Sequence, residues 1–126
     1  MAKKPVRPER GPQAQGPYSA AIVHGDLVFV SGMGPVDPDT GEIMRGGLEE
    51  QMRIAVENIR LVLEAAGSGL EKVLKTTVYL ADMDDFTRMN ELYRTLFGPV
   101  YPARTTIQAA RLPLDIRIEI EVIAGL

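Results

Sequence analysis

The chain has no cysteine, one histidine and only 6% aromatic residues, and the first two shortages each remove a class of chemistry. Without a thiol there is no disulfide, no thiolate nucleophile and no cysteine-ligated metal. A lone histidine excludes a multi-histidine metal site, and His24 flanks a tight turn with no acid or nucleophile beside it, the setting of an ordinary surface residue. No run approaches the ~20 consecutive apolar residues of a membrane span, and the N-terminus has no apolar core of signal-peptide length. The expectation is a soluble, cytoplasmic protein with no membrane partner. Positive charge is not in excess either. With 14 Lys and Arg against 17 Asp and Glu, the net charge is −3, which makes nucleic acid an unlikely partner because phosphate contacts need a basic surface.

What is present is 126 residues, 45% apolar and 25% charged, the composition of one globular domain that can bury a core unaided. Residues 1–13 stand apart. They set Lys3, Lys4, Arg7 and Arg10 among Pro5, Pro8, Gly11 and Pro12, which predicts a flexible basic arm ahead of a single domain over 14–126.

Within the domain, Ala20–Val23 and Leu27–Ser31 read as a hairpin around Gly25-Asp26, a two-residue loop suited to type II′ geometry. Leu48, Met52, Ala55, Ile59, Val62, Leu63 and Ala66 recur at helical spacing, and Gly67 stops the helix. Val73–Leu80 is a strand with Leu74, Val78 and Leu80 expected toward the helices and Val73, Lys75, Thr77 and Tyr79 on the reverse. A second helical stripe runs through Phe86, Met89, Tyr93, Leu96 and Phe97 to Gly98-Pro99. Asn90 sits at the edge of that stripe, and its amide needs a partner, expected to be backbone or buried water.

The last third carries the chemistry. Arg104–Ala110 and Ile116–Ala124 alternate in polarity around Arg111-Leu112-Pro113-Leu114-Asp115, which predicts an antiparallel hairpin. Centred on Leu112-Pro113, it would set Thr106 against Glu119 and Arg104 against Glu121, so that a guanidinium and two carboxylates share one face. Spacing alone leaves two readings, a solvated ion pair or a site. The fold class expected is α+β: a single mixed sheet backed on one face by two antiparallel helices. Its reverse face, with Thr77, Tyr79 and Ile123, would be left to bury against other subunits.

Three motifs carry a resemblance. Gly16-Pro17-Tyr18, Ser31-Gly32 leading into Pro35-Val36 and Thr40-Gly41-Glu42, and Pro102-Ala103-Arg104 followed by Ala110-Arg111-Leu112-Pro113 and the Glu119 strand resemble the reactive-intermediate (enamine/imine) deaminase family. That family is also called YjgF or L-PSP endoribonuclease-like. The resemblance spans about residues 14–124 and implies a chorismate-mutase-like fold and a homotrimer with clefts between subunits. It further implies hydrolysis of 2-imino acids, or their enamine tautomers, to 2-keto acids and ammonia, without metal or organic cofactor. By the same resemblance Tyr18, Ser31, Gly32, Asn90, Arg104 and Thr106 line the substrate site. Arg104 suits a carboxylate, because its planar fork can bind both oxygens, and Glu119 suits orienting and deprotonating water. Two positions depart from the family pattern: Met33, where glutamine is common, and Thr106, where cysteine is. The alternatives are a non-catalytic small-carboxylate-binding or chaperone-like trimer, or an RNA-cleaving translation inhibitor.

Overall fold

The computed structural model describes residues 1–126 and consists of one six-stranded mixed sheet with two helices on one face. In chain order the strands are β1 (Lys4–Val6), β2 (Ala21–His24), β3 (Leu27–Met33), β4 (Val73–Leu80), β5 (Ala103–Gln108) and β6 (Ile118–Gly125). The helices are α1 (Leu48–Ala65) and α2 (Phe86–Phe97). Across the sheet the order is β1-β2-β3-β6-β4-β5. Every neighbouring pair is antiparallel except β4 and β5, which are parallel and joined through α2.

The β2–β3 hairpin forms as its turn chemistry demands. Gly25 takes φ +59°, and His24 pairs with Leu27 across the two-residue loop. The α1 stripe is buried as its spacing requires, and it also buries two amides, Gln51 and Asn58. Both amides span loops. Gln51 accepts from the Arg117 N–H at 2.8 Å and donates to the Gly46 carbonyl at 3.0 Å, while Asn58 donates to the Gly34 and Val36 carbonyls at 3.1 and 2.7 Å. Loop backbone that would otherwise be orphaned beneath the helix is thereby satisfied.

Three expectations are corrected. The C-terminal hairpin does not form, because β6 inserts between β3 and β4 while the crossover through α2 delivers β5 to the far edge. β6 then pairs on both sides and buries Ile118, Ile120, Val122 and Ala124, a larger apolar gain than a hairpin at the edge. Leu74 does not face the helices. It is the extra residue of a bulge between Val73 and Lys75, so Val73 and Thr76 are buried and Leu74 is exposed. Residues 1–13, expected as a flexible arm, include the edge strand β1, whose pairing with β2 buries Val6. Backbone pairing of an otherwise bare sheet edge supplies the reason. Beyond it, Arg10 forms a two-toothed ion pair with Asp39. Met33, where the family pattern often has glutamine, is 5% exposed and packs in the apolar core at the end of β3.

The central seat of β6 is measurable. Ile120→Ala, at a fully buried position, is expected to cost about 2–5 kcal/mol in chemical denaturation. Gln51→Leu, which leaves the Arg117 N–H and the Gly46 carbonyl without partners, is expected to cost about 1–3 kcal/mol.

Candidate functional site

The sheet topology divides the site residues into two groups. The first gathers where β3 bulges. Val30 pairs with Val122 and Met33 with Ile120, so Ser31 and Gly32 together span a single step of β6. Ser31 is tied inward, its hydroxyl donating to the Ser19 carbonyl at 2.7 Å and its N–H to the Ala20 carbonyl at 2.9 Å. Gly32 lies against Glu119. A Cβ at Gly32 would stand 2.6 Å from Glu119 Oε2, so only glycine lets the carboxyl rest on this backbone.

Glu119 pairs with Tyr79 across the β6–β4 ladder, and Tyr79 donates a hydrogen bond to the neighbouring Glu121 carboxylate. Burial, with a further push from the charge of Glu121, holds the Glu119 carboxyl above its ordinary value of 4.5. Tyr18, Gly32 and Glu119 line a cleft of about 970 Å³, closed on other sides by residues 11–15, the Asp37–Gly41 turn, Pro113 and Leu114. Tyr18 is 54% exposed, and its hydroxyl accepts from the Gln15 N–H at 3.3 Å.

The second group sits at the β5 edge. Arg104 stacks on α2 with its guanidinium carbon 4.7 Å from the centroid of Tyr93 and 5.7 Å from that of Phe86, a cation–π cradle on two sides. Its Nη1 donates to Asn90 Oδ1 at 2.6 Å. Asn90 therefore finds its partner in a side chain, where backbone or water was expected, because parallel pairing sets Arg104 beside Thr76 on the helix face of the sheet. Asn90, Tyr93 and Arg104 line a second recess of about 360 Å³. Thr106, two residues along the same face, buries a hydroxyl that has no hydrogen-bond partner in the chain. None of the ion pairs in the molecule involves Arg104, Glu119 or Glu121.

The expected patch of Arg104 with Glu119 and Glu121 is thus not formed within one chain. Arg104 and Thr106 face the helices, whereas Glu119 and Glu121 pair with Tyr79 and Thr77 on the reverse face, with β4 between the two strands. Each strand's alternation was legible, but the pairing that would have merged the faces was wrong. Phe86 and Tyr93 were read only as core. Their spacing of three and four residues around Asn90 was the signal that they line one groove of the helix. No three His, Cys, Asp or Glu side chains converge to hold a metal ion.

Known proteins resemble this chain over nearly its whole length. Residues 8–126 match the family model of endoribonuclease L-PSP. A RutC family protein of Pyrococcus abyssi is 48% identical over 98% of this chain and 98% of its own length. The 2-iminobutanoate/2-iminopropanoate deaminase of mouse is 42% identical over 98% of this chain and 92% of its own. Among solved structures, E. coli TdcF with bound serine superposes with a TM-score of 0.92 at 39% identity, covering 98% of this chain and 99% of that one.

The environment of Glu119 has a consequence for stability. A carboxyl held above its unfolded value contributes most when protonated, so that contribution is lost as pH rises through the raised folded value. Glu119→Gln is therefore expected to match the wild type below the ordinary carboxyl value of 4.5 and to become the more stable of the two as pH rises past it, in a series of urea denaturations.

Proposed function

The chain belongs to the endoribonuclease L-PSP family, whose members include proteins named RutC family, and from that membership we propose that it hydrolyses 2-imino acids, or their enamine tautomers, to 2-keto acids and ammonia. The deaminase name of the mouse relative and the serine held by TdcF support a small α-substituted carboxylate as substrate. The observation that carries the proposal is Arg104: a half-buried guanidinium fixed by two aromatic rings and an amide, with no carboxylate of its own. Such a cation is ordered in advance, so little is lost in binding a planar anion through its free N–H groups. The orphan Thr106 hydroxyl on the same face offers one further hydrogen bond.

The chemistry needs one water and exchanges no electrons. Glu119 holds the water and takes its proton as the oxygen attacks the C=N carbon, which gives a carbinolamine. Glu119 returns that proton to nitrogen, and the carbinolamine hydroxyl then gives up its own proton, carried by the same carboxylate to nitrogen, as the C–N bond breaks, so that oxygen becomes the keto carbonyl and ammonia leaves. A carboxyl held above its ordinary value is, once ionised, a better base than a solvated one.

One chain does not bring these groups together, since Arg104 and Glu119 occupy opposite faces of the sheet. We therefore assign the working cleft to a boundary between copies. The β5 edge of one subunit brings Arg104, Thr106 and Asn90 to the Tyr18, Gly32 and Glu119 surface of the next, in a homotrimer. The half-exposed reverse face, where Phe29 is 40% exposed, gives such copies an apolar surface to bury.

Two variants test the roles. Arg104→Lys keeps the charge but loses the fork, and is expected to lower kcat/KM by roughly 30- to 150-fold in ammonia-release assays with imino acids generated in situ. Glu119→Gln is expected to lower kcat roughly 100-fold while small carboxylates still bind. Unchanged hydrolysis in both folded variants would leave a binding module or plain scaffold.

Assembly is tested separately. Sedimentation is expected to report a trimer. Refolding Arg104→Ala with Glu119→Gln in equal amounts is expected to restore roughly a quarter of wild-type activity, because random mixing gives that share of clefts both intact residues. No recovery from a mixed trimer would place both groups in one subunit's site.

A further inference from the structure

The reverse face of β6 holds a second carboxylate that the proposed hydrolysis does not use. Glu121 follows Glu119 by two residues, so both side chains leave the same face about 7 Å apart along the strand. Tyr79 stands directly opposite Glu119 in the ladder, yet its hydroxyl reaches past to Glu121. No arginine or lysine of the chain forms an ion pair with either carboxylate. Lys75, further along β4 on this face, gives its ammonium to Thr105 Oγ1 at 2.9 Å. From β3, the Glu119 carboxyl lies against the uncharged Gly32. On the cleft side the charged residues are Glu9, Asp37 and Asp39, the last paired with Arg10, while Tyr18 contributes a phenol. Within the subunit, the charge acting most directly on Glu119 is therefore that of Glu121.

We propose that Glu121, anchored by Tyr79, is a positioning residue that sets how readily the Glu119 carboxyl takes the proton of the attacking water, a role that rests on Glu119 being the base. A like charge on the same face favours the protonated form of its neighbour, and the Tyr79 hydrogen bond limits that effect by neutralising part of Glu121's charge. The three groups are coupled in both directions. The Tyr79 phenol is held above its ordinary value by its hydrogen bond to Glu121, by burial, and by the charges of Glu121 and Glu119. A purely structural hydrogen bond on a sheet face would need no second carboxylate two residues away. Here the pair stands where it tunes the reacting group without touching substrate.

Two near-isosteric variants move Glu119 in opposite directions. Glu121→Gln keeps an acceptor for Tyr79 but removes the charge. It is expected to shift the acid limb of the kcat/KM profile down by roughly half to one pH unit. Tyr79→Phe leaves the Glu121 charge unmoderated and is expected to shift the limb up by about 0.3 unit. A structural role would lower activity equally at all pH values and leave the limb in place. Carbon-13 NMR titration of glutamate-labelled protein reads the same shifts without activity, the Glu119 signal being assigned by its loss in Glu119→Gln. Shifts of the Glu119 titration in those directions support the coupling, even if hydrolysis proves independent of Glu119 and the functional reading fails. A Glu119 titration that stays at its wild-type position in both variants overturns it.

Discussion

The insertion of β6 between β3 and β4 is the constraint on which the rest of the structure depends. A strand paired on both sides and buried on its helix face concentrates Ile118, Ile120, Val122 and Ala124 in the core. That same placement stations Glu119 and Glu121 on the opposite face, next to a bulge where Gly32 has no side chain. Apolar burial thus sets the position of the carboxylates. A one-residue slip of β6 would exchange the two sets, at the loss of the core.

The connections around β6 are tied by buried polar groups. Gln51 receives the Arg117 N–H, and Arg117 in turn grips both oxygens of Asp85 at 2.9 Å just before α2. Asn58 holds the loop that follows the bulge. These contacts join α1, the entry to β6 and the start of α2. The helix that cradles Arg104 and the strand that carries Glu119 are therefore fixed in one frame. Precision at both half-sites follows from satisfying backbone groups that burial would otherwise leave unpaired.

The two half-sites also differ in electrostatic character. Arg104 is held by ring faces and an amide, which leave its full charge uncompensated, whereas Glu119 is desolvated and faces another carboxylate. Neither arrangement favours the isolated chain. Each half carries a charge whose natural complement is the opposite sign, which is the electrostatic reason behind the proposal of a cleft between copies.

Much of this molecule is local and was readable in the residues. Helical spacing from Leu48 to Leu63, alternation in β6 and the glycine turn at Gly25 rest on periodicity and backbone freedom. None of these needs a distant partner. Family motifs extended that reading to Arg104 and Glu119, deciding between a site and a solvated ion pair. Strand pairing is not local. Alternation tells which side chains share a face of one strand, but which strands become neighbours depends on the sum of burial over the sheet and on where a helical crossover sets its strand down. For that reason the hairpin expected at Leu112-Pro113 gave way to an order with β4 between β5 and β6. The sequence by itself determined that Arg104 and Glu119 each stand on the polar face of an alternating strand. Only the tertiary structure decided that Arg104 and Glu119 stand on opposite faces, because a face shared by two strands exists only once the core has chosen their neighbours.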